Sequence, residues 1–248
     1  MQSTTLHLIS SFVREGRKLV ALLIDPDTFD MQVTPDMAAD SGVDLVLVGG
    51  SLLSGGDMEK TILAIKKACR MPVIIFPGSI QQINGKADAI LNLSLISGRN
   101  PEFLIGQHVV AAPALKASGL EILPTGYILV DSGRQTTASY ISGTTPVPRD
   151  KDDIAMCTAM AGEMLGLKII YLDGGSGAME SVSESMIRKV RKHISVPLIV
   201  GGGIRDAATA VKICRAGADV IVIGNAAQEN PRLAKKIASE VHSIHTLQ

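Results

Sequence analysis

The sequence predicts an α/β protein built as one (β/α)8 TIM barrel, a single domain spanning residues 1–248. Three observations carry this. Eight short runs are almost purely apolar, as parallel strands buried on both faces must be. Helical patterns separate most of them. Eight strand–helix units in 248 residues is barrel arithmetic, whereas a doubly wound sheet more often has about five to seven strands.

The strand candidates, in order, are Leu19–Ile24, Leu45–Val48, Val73–Phe76, Ala89–Leu91, Tyr127–Val130, Ile169–Leu172, Leu198–Val200 and Val220–Ile223. The clearest helical stretches are Asp57–Arg70, Asp152–Leu165, Ser183–His193, Asp206–Ala216 and Pro231–His242. In the fourth of these, Ala207, Ala210, Val211 and Cys214 share one face at helical spacing. The third unit breaks the pattern. The chain between Phe76 and Ala89 is short, opens Pro77-Gly78-Ser79 and contains Asn84-Gly85, which is too broken for a crossover helix. The third helix is therefore predicted to be shortened or replaced, leaving a gap beside the barrel mouth that can hold a long apolar ligand. Residues 131–151 form a long irregular stretch after the fifth strand, where it would overhang the catalytic face.

Composition narrows the function. The chain is 46% hydrophobic with a formal net charge of zero, which excludes disorder. Zero net charge also argues against nucleic acid as a partner, because phosphate-backbone binding needs clustered excess cation. Aromatics are only 3%, without Trp, so the core must be aliphatic. Cys69, Cys157 and Cys214 are too few and too widely spaced for a disulfide framework or a zinc pattern, and read as small buried thiols. Arg14, Arg17 and Lys18 precede an apolar run too short to span a bilayer, and no cleavage site follows. The expectation is a soluble, cytoplasmic protein.

The strongest local signal lies in the last two units. One strand runs into Gly201-Gly202-Gly203 and the next into Gly224-Asn225, each before a helix. Glycines admit close backbone approach, and free N–H groups at a helix start favour an anion, so these loops point to phosphate; tight βα turns alone are the plainer alternative. The sixth strand continues Tyr171-Leu172-Asp173-Gly174-Gly175-Ser176-Gly177, a second candidate anion nest with a carboxylate at the strand tip. A turn or helix-capping role is the lesser alternative for Asp173. At the first strand end stands Asp25-Pro26-Asp27, and at the second Val48-Gly49-Gly50-Ser51. A carboxylate at one tip and a hydroxyl at the next can hold Mg²⁺, with substrate phosphates and waters completing the shell. A turn-making Asp-Pro-Asp is an equal reading. No lysine stands at a strand C-terminus, which disfavours Schiff-base chemistry, and no Cys or Ser/His/Asp set is evident there. Displacement of phosphate or diphosphate, driven by positioning and electrostatics, fits better.

In order along nearly the whole chain, these motifs resemble the geranylgeranylglyceryl phosphate synthases and their heptaprenyl-transferring relatives. The resemblance rests on Asp25-Pro26-Asp27, Val48-Gly49-Gly50-Ser51, Phe76-Pro77-Gly78-Ser79, Ser97-Gly98-Arg99-Asn100-Pro101, Ser139-Tyr140-Ile141-Ser142, Pro146-Val147-Pro148-Arg149-Asp150, Tyr171 to Gly177, Gly201 to Arg205 and Gly224-Asn225. It implies a barrel whose third helix is replaced. It implies Mg²⁺ on Asp25 and Ser51, and sn-glycerol 1-phosphate held by Tyr171, Leu172, Asp173, Gly174, Gly175, Ser176, Gly177, Gly202, Gly203, Gly224 and Asn225. The second substrate it implies is geranylgeranyl diphosphate, with Asp25 and Asp173 in catalytic roles. This chain has Asp173 where the family usually has Glu. Phe103 could line the far end of a prenyl groove, although ordinary core packing is the plainer reading. A homo-oligomer and a transient contact with a membrane surface are also expected. The rival readings are a phosphate-binding barrel isomerase or lyase acting on a sugar phosphate and, further off, a non-enzymatic ligand-binding barrel.

Overall fold

The computed structural model describes residues 4–224 and 230–244. Its centre is a closed barrel of eight parallel strands in sequential order, with the last paired to the first. The strands are β1 Leu19–Ile24, β2 Leu45–Gly50, β3 Val73–Pro77, β4 Ala89–Leu95, β5 Glu121–Leu129, β6 Ile169–Asp173, β7 Leu198–Gly201 and β8 Val220–Ile223. The helices are α1 Thr5–Arg14, α2 Thr34–Asp40, α3 Met58–Ala68, α4 Gln107–Ser118, α5 Thr137–Ser142, α6 Asp152–Met164, α7 Glu184–His193, α8 Ala207–Ala216 and α9 Pro231–His242. Among the described residues, no helix is long and apolar enough to cross a membrane.

Alternate strand residues enter two different cores, which is why the strands read as unbroken apolar runs. Val20, Leu22 and Ile24 of β1 face outward against the helices, whereas Leu19 and Ala21 fill the lumen. The lumen is also closed at its N-terminal end. Ile9 of α1 belongs to the inner cluster, with Leu6 and Phe12 packed beside it. The Glu121 carboxylate, at the start of β5, accepts the Thr5 and Leu6 N–H groups at 2.5 and 3.1 Å and so caps the plug helix from the barrel floor.

Two strands run furthest beyond their apolar runs. β4 continues through Asn92-Leu93-Ser94-Leu95, and β5 starts at Glu121, hidden from pattern reading by Pro124-Thr125-Gly126. Their register is continuous, from Ala89 opposite Glu121 to Leu95 opposite Tyr127. Val130, read as strand, instead pairs with Val147 of the returning loop in an isolated bridge.

The third unit is defective as predicted. Between β3 and β4 only one 3-10 turn forms, Ile80–Gln82. Its buried Gln82 braces the gap: Nε2 donates to the Gly50 carbonyl at 3.0 Å, and Oε1 accepts from the Gly78 N–H at 3.1 Å. The 131–151 stretch is more ordered than expected, because Thr136 and Ser139 form a capping box that starts α5. Of the three cysteines only Cys214 is buried. Cys69 is half-buried and Cys157 is exposed on α6, where the helix turns that face to solvent.

Candidate functional site

The C-terminal ends of the strands surround a polar cavity of about 590 Å³. Asp25, Ser51, Tyr171, Asp173, Gly175, Ser176, Gly177, Gly202, Gly203 and Gly224 all line it, so residues from five separate strand ends converge there. Leu172 does not reach the cavity. It alternates outward and is fully buried under the helices. Gly174 is turned into packing as well, its Cα and N lying against Gly202. Asn225 lies outside the described residues.

The two acidic residues of Asp25-Pro26-Asp27 have parted. Pro26 ends the strand and opens a 3-10 turn, which Asp25 caps by accepting the Asp27 N–H at 3.0 Å. Asp25 faces the cavity, and burial, the largest influence, pushes its carboxyl above the usual range. Gly50 makes room for it, since a Cβ there would lie 3.2 Å from Asp25 Oδ2. Asp27 points away. Its carboxylate accepts the Gly55 and Gly56 N–H groups at 3.0 and 2.6 Å and the Ser54 N–H and hydroxyl at 2.8 Å each, which holds it well below the usual carboxylate range. It ties the β1 loop to the β2 loop, so the turn reading describes Asp27, whereas Asp25 is the one of the two that faces the cavity.

Asp173, only 5% exposed, ends β6 at the cavity wall. Its Oδ1 accepts the Gly175 N–H at 2.8 Å, and its Oδ2 accepts the Tyr127 hydroxyl at 2.5 Å. Burial raises its pKa, while both hydrogen bonds oppose that rise. Tyr127, Tyr171 and Phe76 form one aromatic cluster: Phe76 stacks on Tyr171 with ring centroids 5.4 Å apart, and Tyr127 meets Tyr171 edge-on at 5.4 Å. Tyr127 was missed as a site residue. In sequence it is simply the first residue of a strand, and its partner Asp173 lies on the neighbouring one.

Loop meets loop on the other side. Gly202 adopts φ +83°, and a Cβ would lie 2.7 Å from Gly174 N, so glycine is required for the β7 loop to pass the β6 loop. The glycines thus serve close packing inside the protein as well as an open backbone towards the cavity.

A second, apolar cavity of about 120 Å³ runs sideways from the mouth. It passes through the gap of the third unit, between Ile80 and Ile83 of the short connection, Leu91 and Leu93 of β4, and Ala111 and Leu115 of α4. Phe103 lines it, on the π-helical turn Glu102–Gly106 that leads into α4. Gly50, Ser51 and Phe76 line both cavities, so the two meet there.

A family model described as the PcrB family matches residues 12–242. The chain belongs to the PcrB family. A relative in Chitinophaga pinensis named geranylgeranylglyceryl phosphate synthase is 53% identical over 232 residues, which is 92% of each chain. One of the same name in Korarchaeum cryptofilum is 39% identical, over 86% of this chain and 88% of its own. Among solved structures, (S)-3-O-geranylgeranylglyceryl phosphate synthase from Thermoplasma acidophilum, in complex with its substrate sn-glycerol-1-phosphate, superposes with a TM-score of 0.90 at 33% identity, covering 97% of this chain and 99% of that one. Thiamine phosphate pyrophosphorylase from Pyrococcus furiosus, at 12% identity and a TM-score of 0.56, shares the fold alone. PcrB membership agrees with the resemblance on which the sequence was read.

Proposed function

We propose that this chain is a geranylgeranylglyceryl phosphate synthase, joining C1 of geranylgeranyl diphosphate to the 3-hydroxyl of sn-glycerol 1-phosphate. The observation that carries the proposal is the meeting of a polar cavity and an apolar groove at Gly50, Ser51 and Phe76. One substrate of the reaction is wholly polar and the other has a long hydrocarbon tail, so the chemistry belongs at that junction. An isomerase or lyase acting on a sugar phosphate would leave the groove without a use.

The glycerol phosphate fits the walls formed by Gly175–Gly177, Gly202 and Gly203, where backbone N–H groups can meet its phosphate. The tail fits the groove, where about 25 cal/mol favours each Å² of apolar surface withdrawn from water. The Asp25 carboxylate and Ser51 hydroxyl suit Mg²⁺: both are hard oxygens, and burial of the Asp25 charge is a cost that a cation would offset. When bound, the ion would neutralise the diphosphate and ease its departure.

As the bond from C1 to the diphosphate oxygen breaks, positive charge develops on the allylic carbon. The Phe76 ring stands where it can face that charge. The glycerol hydroxyl oxygen then bonds to C1, and its proton passes to Asp173. Tyr127 and Gly175 leave one further lone pair on each Asp173 oxygen and hold the carboxylate in place. Geranylgeranyl diphosphate and labelled glycerol 1-phosphate should give an ether-linked product that fails to form with chelator or with glycerol 3-phosphate. Binding of phosphate without product from any prenyl diphosphate would overturn the assignment.

A further inference from the structure

Two arginines line the polar cavity, Arg134 and Arg205. Arg205 is engaged within the protein, donating to the carbonyls of Ala178 at 2.6 Å and Met179 at 3.3 Å. Arg134 stands on the loop between β5 and α5. It is exposed and, among the described residues, makes no side-chain hydrogen bond or ion pair.

The backbone beneath Arg134 is nevertheless fixed. The Gly133 N–H donates to Asp131 Oδ1 at 3.0 Å, and the Ser132 carbonyl accepts the Met179 and Glu180 N–H groups at 3.1 Å each. Thr136 lies against Gly175, whose Cβ position would be 2.8 Å from its Oγ1. The loop is thus braced on the β6 loop while its one arginine is left to the cavity. The acidic residues lining the same cavity are Asp25 and Asp173. Both substrates are phosphate esters carrying several negative charges, and they meet in a space whose one other guanidinium is already bound. A partnerless guanidinium on a firm platform offers planar, charge-assisted donors to phosphate oxygens.

We propose that Arg134 is a substrate-binding residue that holds a phosphoryl group at the rim of the mouth. The proposal rests on the transferase reading above. The phosphoryl group belongs to glycerol 1-phosphate or to the prenyl diphosphate, and kinetics with each substrate varied in turn separate the two. Arg134→Gln is expected to raise KM for one of them about tenfold, the effect of losing a charge-assisted hydrogen bond, with little change in kcat. Arg134→Lys should recover part of the loss. A rise confined to glycerol 1-phosphate places the contact on that phosphate, and a rise confined to the prenyl substrate places it on the diphosphate. Wild-type values of both KM terms in Arg134→Gln would overturn the proposal. If the wild-type protein forms no product, the transferase reading fails instead. Calorimetry with inorganic phosphate then decides for Arg134, whose role stands only if the Gln variant binds more weakly than wild type.

Discussion

Asp25 and Asp27 are two residues apart and do different work because a proline stands between them. Asp27 is tied into four hydrogen bonds and stays ionised, whereas Asp25 keeps a half-buried carboxylate turned towards the mouth. Asp25→Asn should lower turnover by about a hundredfold or more, the usual scale for losing one electrostatic contact to a developing charge, while thermal melting stays at the wild-type value. A fully active variant would remove Asp25 from the reaction. Asp173→Asn keeps the Tyr127 contact in reach but cannot take up a proton, so kcat should fall with the fold intact. Most of this cavity's lining was legible from sequence because the strand C-termini of a barrel all open on one face, so residues just past each apolar run fall together there. Leu172 was not, since one step of strand alternation sends it to the opposite core. Tyr127 was not, since its bond to Asp173 spans 46 residues of chain.

At the scale of elements, the short β3–β4 connection matters most. A full helix there would cover the apolar groove, and Ile80 and Ile83 line it instead. That defect could be read from Pro77-Gly78 and Asn84-Gly85, which no helix interior tolerates cheaply. The true extents of β4 and β5 could not be read, because Asn92, Ser94, Pro124 and Gly126 interrupt the apolar pattern while the backbone ladder continues. The plug helix α1 went unread for a similar reason: besides its own Thr4 cap, what anchors its first turn is the Glu121 carboxylate, from a strand more than a hundred residues away. Phe103 is half-buried on the groove wall. Phe103→Ala should widen the groove, and product profiles with longer prenyl diphosphates should then shift towards the longer chain. An unchanged profile would return Phe103 to ordinary packing.

The whole molecule is closed at one seam. β8 pairs with β1, and α9 lies against β1. At that seam the Asp44 Oδ2 accepts both the Val20 N–H and His242 Nε2, each at 2.8 Å. The Asp44 bond raises the His242 pKa above its ordinary 6.5. Because the folded value is the higher one, this contribution to stability is complete below 6.5 and is lost as pH rises through the raised value. Wild-type protein should therefore lose more melting temperature than His242→Gln between about pH 6 and about pH 8.5. Equal losses would show that the seam does not depend on this proton.

The aromatic cluster has an optical consequence. The chain has three tyrosines and no tryptophan. Tyr127 and Tyr171 are buried in the site, and Tyr140 stands exposed on α5, the helix whose Thr137 borders one cavity and whose Ile141 borders the other. Two of the three tyrosines, and with them most of the near-ultraviolet absorption of this protein, therefore stand beside the reacting groups. Its intrinsic spectrum is a local signal from the mouth of the barrel, to which the remaining aliphatic bulk is silent.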